Sequence, residues 1–178
     1  LRALDGHLHA VVSVAYGPRG KHIVSGSHHD NLDIPCELLL RDANSGEVIH
    51  SFDQHQGGVW WVAIHPDGTR FAAGGMDGVL RMWDVESGQQ LFELERHLRY
   101  IEGIAFSRDG KRLVTIDAGE NVLKFWDADT GRAIGRSMSS VDQQRGRCVL
   151  FSPNDKLIAS GGVNGVARVW DGQTGELI

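Results

Sequence analysis

Histidines and carboxylates are the groups in this chain with the widest chemical scope, and they are distributed in two ways. His28, His29, Asp30 and Asp33 crowd into one short segment and could offer imidazole and carboxylate ligands to a metal. Adjacent residues of a strand point to opposite faces, however, and the set lacks the spacing of a recognised metal site. The expectation is a surface loop with no metal. His7, His55 and His97 instead recur at repeat-like intervals, which marks them as structural members of a pattern rather than catalytic bases. No nucleophile elbow, phosphate loop or dinucleotide fingerprint is present. The carboxylates Asp67, Asp109 and Asp155 fall in turns. Nothing converges on a catalytic constellation or a cofactor site, so the sequence reads as a non-enzyme.

The elements that position these residues follow from internal periodicity. The pattern Asp-x-x-(Ser/Thr)-Gly occurs four times, ending at Gly46, Gly88, Gly131 and Gly175, with spacings of 42, 43 and 44 residues. Trp precedes the Asp in three copies, as Trp83-Asp84, Trp126-Asp127 and Trp170-Asp171, while the first copy has Arg41-Asp42. A second feature keeps the same rhythm: Val14-Ala15-Tyr16, Val62-Ala63-Ile64, Ile104-Ala105-Phe106 and Val149-Leu150-Phe151 each run into a turn. Short β-branched or aromatic runs that end in turn residues signal strands feeding hairpins. One period therefore reads as four antiparallel strands in about 43 residues. A sheet with two apolar faces cannot stand alone, so neighbouring repeats must cover both.

These motifs resemble the WD-repeat family of β-propellers, and the resemblance covers essentially the whole chain. It implies an all-β fold of four WD-repeat blades over residues 1–178, at about 5–52, 53–94, 95–138 and 139–178, with the outer strand split between the termini. It also implies a hydrogen-bonded network of His, Ser or Thr, Asp and Trp within each blade. Every copy is incomplete. The first has His7 and Ser25 but Arg41 for Trp; the second has His55, Asp77 and Trp83, with Gly74 at the hydroxyl place. The third has His97 and Trp126, with Glu120 near the Asp place, and the fourth has Ser160, Asn164 and Trp170 but Asp142 for His. Partly satisfied buried networks stabilise less than complete ones. The first repeat also carries seven extra residues between Gly26 and Arg41, lying within Ser27 to Glu37.

In this family, the face carrying the loops into the first strand and between the second and third is the common docking surface. The resemblance places Ala10, Val12 and His29 there from the first repeat, and Gly58, Trp60 and Met76 from the second. The third supplies Tyr100, Glu102 and Gly119, and the fourth Arg145, Arg147 and Val163. Trp60, Met76, Tyr100, Glu102, Arg145 and Arg147 are the candidate partner contacts, because Trp, Tyr and Arg most often dominate binding energy. Of Trp60 and Trp61, one must face a neighbouring blade, since successive strand residues alternate sides.

Bulk properties narrow the rest. A chain of 178 residues supports one sizeable core. A net charge of −5 with interspersed signs argues against nucleic acid as the main partner. Cys36 and Cys148 give no disulfide framework, and no apolar run is long enough to span a membrane. The expectation is a non-catalytic cytoplasmic scaffold for a protein or peptide, with a small-ligand or metal-binding propeller, or one accessory to an enzyme, as the alternative. Four such blades form an arc whose ends each expose an apolar sheet face of roughly 500 Å². Further blades of a longer chain, or a second copy, would close a seven- or eight-bladed ring.

Overall fold

The computed structural model describes residues 3–29, 31, 33–34, 36–94, 97, 99–119, 122–135, 138–139 and 146–178. Among these residues the chain forms successive antiparallel sheets in which each strand pairs with the next in sequence. The first sheet is β1 Ala10–Tyr16, β2 His22–His28, β3 Leu38–Asp42 and β4 Val48–Phe52. The second is β5 Val59–Ile64, β6 Arg70–Gly75, β7 Arg81–Asp84 and β8 Gln90–Glu93. The third is β9 Ile101–Phe106, β10 Arg112–Asp117, β11 Val122–Asp127 and β12 Met138–Ser139. The last is β13 Gly146–Phe151, β14 Leu157–Gly162 and β15 Ala167–Asp171, beside which Leu177 and Ile178 begin a fourth strand by pairing with Trp170 and Val169.

The Asp-x-x-(Ser/Thr)-Gly motif is the turn between the third and fourth strands of each sheet. Asp42, Asp84, Asp127 and Asp171 each accept the amide of the residue three positions on through Oδ1, at 2.7 to 2.8 Å. Hydrogen bonds from those same residues hold the carboxyls below the usual carboxylate range, so the turns are fastened by anions at neutral pH. The glycine that ends each motif sits at φ between 68° and 76° and donates its amide to the carbonyl of the Asp. That left-handed conformation is open to Gly and costs other residues.

Burial between sheets builds the core. Val24, Leu38, Leu40 and Phe52 of the first sheet pack against Val59, Val62, Phe71 and Trp83 of the second. Leu80, Met82 and Leu94 then meet Ile101, Ile104, Leu113 and Trp126, and Val114, Ile116, Leu123 and Phe125 meet Val149, Ile158 and Trp170. Each Trp thus faces the preceding sheet. Trp83 lies parallel to Phe71, with ring centroids 5.2 Å apart and planes at 15°.

The sheets follow one another around an axis with their first strands innermost. This is a partial β-propeller, and the outer faces of its end sheets are exposed, as at Val14 (63%) and Tyr16 (68%) of the first and Leu150 (61%) and Val169 (43%) of the last. Further blades are needed to close it. On the first sheet's open side, Arg41 stands where the others have Trp. Its guanidinium is buried and donates to the carbonyls of Gly46 at 3.1 Å and Asp5 at 2.5 Å, tying residues 3–8 to the sheet. No helix among the described residues is long and apolar enough to cross a membrane.

Gly131 shows how tightly the turns are seated: besides its φ of +68°, an added Cβ would lie 2.8 Å from the Phe92 ring of the neighbouring sheet. Gly131→Ala is therefore expected to lower unfolding free energy by about 1–2 kcal/mol. Urea unfolding followed by Trp fluorescence checks this, and an unchanged midpoint contradicts it.

Candidate protein-interaction face and the network beneath it

The innermost strand of every sheet carries one bulge near its start. Pairing with the second strand skips Val12 between Val11 and Ser13, Trp60 between Val59 and Trp61, and Arg147 between Gly146 and Cys148. In the third sheet the skipped residue is Glu102, between Ile101 and Gly103. A bulged residue leaves the alternation of the pleat and re-aims its side chain. The repeated bulge sets these four residues along one edge of the arc, together with the ends of β2, β6 and β10. The alternatives for the Trp pair resolve accordingly. Trp60 is the bulged residue, half-buried with its ring 4.8 Å from that of His28 on β2, while Trp61 packs on the core between the second and third sheets.

Other predicted contacts fall as follows. Met76 and Tyr100 are half-buried along the same edge. Arg147 is exposed over 47% of its side chain, and its Nη1 lies 3.4 Å from Glu102 Oε1. Glu102, expected as an exposed contact, is only 2% accessible. It sits beneath Arg147 and positions that guanidinium, because a carboxylate bulged toward the next sheet is covered by the cation bulged from that sheet. Arg145 lies outside the described residues. The His-rich insertion has His29 edge-on to His9 at 4.9 Å, while His28 Nδ1 contacts the Gly57 carbonyl at 3.2 Å. Asp30 lies outside the described residues, and among those described no group of three or more His, Cys, Asp or Glu could hold a metal.

The network beneath this edge is most complete in the third sheet. His97 Nδ1 faces Asp117 at 3.2 Å, its Nε2 meets the Thr115 hydroxyl at 2.7 Å, and Trp126 Nε1 donates to that hydroxyl at 2.9 Å. Asp117 therefore fills the Asp place that sequence had assigned near Glu120, which lies outside the described residues. The position was missed because the span from Leu113 to its register partner Trp126 is one residue longer than that from Phe71 to Trp83. In the first sheet His7 Nε2 meets Ser25 at 2.7 Å, and Glu37 substitutes for the Asp, accepting from the Ser27 hydroxyl at 2.5 Å and lying 3.6 Å from His7 Nδ1. An acid closing the insertion was the signal for Glu37. In the fourth, Trp170 donates to Ser160 at 2.8 Å, while Asp142, in the His place, lies outside the described residues.

The second sheet differs. Asp77 lies between Arg81 at 2.6 Å and His55 Nδ1 at 3.3 Å. Strand register pairs Phe71 with Trp83, as it pairs Leu113 with Trp126, so the residue equivalent to Thr115 is Ala73 and not Gly74. Without a hydroxyl there, both His55 Nε2 and Trp83 Nε1 are buried with no hydrogen-bond partner among the described residues. Burial works against the Asp77 anion, but hydrogen bonds from His55, Arg81 and the Val79 amide outweigh it and hold its carboxyl below the usual range. Burial pushes the His7 imidazole below its usual value, favouring the neutral ring.

Stacked antiparallel sheets, the third holding a complete His–Asp–hydroxyl–Trp network, with bulged residues lining one edge, define a repeat β-propeller. The chain belongs to the family described as "WD domain, G-beta repeat", which matches residues 1–32, 46–84, 88–127 and 140–171. It is 32% identical to eukaryotic translation initiation factor 3 subunit I of Phaeosphaeria nodorum, over 98% of this chain and 53% of that protein. It is 27% identical to the serine-threonine kinase receptor-associated protein of Gallus gallus (96% and 47%), and 30% identical to the guanine nucleotide-binding protein subunit beta of Arabidopsis thaliana (93% and 45%). The chain thus spans about half the length of these relatives. Among solved structures, the computationally designed Ika4 protein superposes with a TM-score of 0.78 at 26% identity, covering 95% of each chain.

Two outcomes follow. Ala73→Ser supplies one hydroxyl that can donate to His55 Nε2 and accept from Trp83 Nε1, so it should raise stability by about 1–2 kcal/mol. In thermal melts this appears as an upward shift of a few degrees; a lower midpoint would mean the cavity cannot seat the oxygen. The second outcome concerns pH. A depressed carboxyl contributes stability that is present above its ordinary pKa and is lost as pH falls through the folded value. Asp77 therefore destabilises the fold below about pH 4, whereas His7, with a depressed imidazole pKa, begins to do so below about pH 6.5. Asp77→Asn should shrink the lower step, to which the turn aspartates also contribute, and leave the upper one, read from unfolding midpoints between pH 7 and 3.

Proposed function

We propose that this chain is a non-catalytic protein-interaction scaffold, part of a larger propeller, that presents its bulged edge to a protein or peptide partner. The observation that carries the reading is the repeated bulge. It sends Val12, Trp60, Glu102 and Arg147, four chemically unlike residues, to one rim. A stable framework with one variable position per sheet suits recognition better than turnover. Trp60 and Tyr100 supply aromatic surface, and Arg147, steadied by Glu102, supplies an oriented cation. Met76 is taken as a further contact of the same rim and Arg145 as a contact on sequence grounds, with His7, Ser25, His55, Asp77, Trp83, His97, Trp126, Ser160 and Trp170 as the framework beneath. Relatives named as a translation initiation factor subunit and a G-protein β subunit fit a role in assemblies and a cytoplasmic location. Ring closure is proposed to come from further blades of a longer chain, with a second copy as the alternative.

The test is alanine substitution of Trp60, Tyr100 and Arg147, one at a time, with affinity for a co-purifying protein partner measured by calorimetry. Anchors worth about 2 kcal/mol each correspond to losses of roughly 30-fold. Thermal melts of each variant separate lost contact from lost fold. A partner whose affinity is unchanged in all three places its site elsewhere.

A further inference from the structure

On the edge opposite the bulges, adjacent sheets are clamped by arginine. Arg70, the first residue of β6, reaches into the third sheet, where Nη1 donates to the Ala128 carbonyl at 2.9 Å and Nη2 to Asp129 Oδ1 at 2.5 Å. Its neighbour His65 meets the Gly110 carbonyl at 2.8 Å. Arg112, the first residue of β10, makes the same reach into the fourth sheet, donating to the Gly172 carbonyl through Nη1. The receiving carbonyl in each case belongs to the residue after the turn Asp, whose own amide bonds back to the preceding sheet-entry turn: Ala128 to Lys111 and Gly172 to Lys156.

The junction between the first and second sheets keeps the acceptors and lacks the donors. Val85 follows Asp84, and its amide bonds Thr69 at 2.8 Å, so its carbonyl corresponds to those of Ala128 and Gly172. Glu86 then corresponds to Asp129. Among the described residues the Glu86 carboxylate makes no ion pair of the kind that Asp129 makes with Arg70, while its backbone carbonyl is pinned by His50 Nε2 at 3.1 Å. On the first sheet, the place of Arg70 is taken by His22, the first residue of β2, and the place of His65 by Gly17. Both replacements shorten the side chain. The result is a cavity of about 440 Å³ lined by His22, Ile49, Thr69, Asp84, Val85 and Glu86. Ile49 and Val85 form an apolar wall, and hydrogen bonds from Ser87 keep Asp84 ionised.

We propose that this cavity binds the arginine side chain of a protein partner, whose guanidinium takes the place that Arg70 and Arg112 fill at the other two junctions. The planar fork would donate to the Val85 carbonyl and to the Glu86 carboxylate, and the alkyl stem would lie along Ile49. A lysine ammonium has a single compact head and cannot span both acceptors in this way. The site lies on the face opposite the bulged edge, so it does not depend on that edge being an interface.

The test uses the 178-residue chain and an acetyl-Gly-Arg-Gly-amide probe, followed by amide chemical shifts. Saturable shifts are expected at Thr69, Glu86 and Ser87, with a Kd on the order of 1 mM, as befits one solvent-bordered guanidinium. Acetyl-Gly-Lys-Gly-amide should bind at least about fivefold more weakly. Glu86→Gln, in an exposed turn, should weaken the arginine probe by about fivefold or more. His22→Arg should occupy the cavity from within: it abolishes saturable binding and raises the melting temperature. Free L-arginine, whose carboxylate would face the acidic rim, should bind more weakly than the peptide. Absence of saturable shifts, equal binding of the lysine probe, or undiminished binding to His22→Arg overturns the site. Tighter binding of free L-arginine overturns the assignment to a protein partner.

Discussion

The constraint that governs this structure is that every sheet has two faces needing cover. Four short strands with apolar side chains on both sides cannot exist in water alone, and the solution is to lend each face to a neighbour. Trp83, Trp126 and Trp170 are the units of that exchange. Each belongs to one sheet by hydrogen bonding and to the preceding one by packing. The turn motif and the His-hydroxyl pairs serve the same end, because they fix the ring whose flat face must meet the preceding sheet. On the first sheet's open side Arg41 occupies the Trp position and donates to the carbonyls of Asp5 and Gly46 instead. The first sheet's open side is thus partly polar, unlike the last sheet's, where Leu150 and Val169 stand bare.

The same economy explains how the sheets tolerate unequal networks. The third sheet satisfies His, Asp, hydroxyl and Trp together; in the second, the network nitrogens His55 Nε2 and Trp83 Nε1 are buried without partners among the described residues. A buried donor without an acceptor costs of order 1–3 kcal/mol, yet the second sheet persists. It is the one most thoroughly enclosed by aromatic packing, with Phe52, Phe71 and Trp83 in mutual contact at 5.2 to 5.4 Å. Dispersion and burial compensate where hydrogen bonding falls short.

Much of the architecture was legible from residue order, because repetition multiplies weak signals: one Trp-Asp is ambiguous, while several in phase with strand and turn signals are not. What escaped the sequence depended on pairing between strands. Gly74 looked like the residue replacing the network hydroxyl because it ends a strand in the manner of Ser160-Gly161. Only the Phe71–Trp83 register shows that Ala73 is the one. Glu102 was expected as an exposed contact, and its burial beneath Arg147, a residue 45 positions away in another sheet, could not be read from residue order. The cleft at His22 was invisible for a related reason, since a missing arginine has meaning only beside the acceptors it would have met.

The bulges carry a further consequence for how such a chain can change over generations. A residue skipped by the ladder adds little to sheet register, so its replacement does not slip a strand. Val12, Trp60, Glu102 and Arg147 span aliphatic, aromatic, acidic and basic chemistry at equivalent places, which is what drift under slight folding pressure would produce. A propeller of this kind can therefore alter its surface text one character at a time, while the grammar of the fold stays untouched.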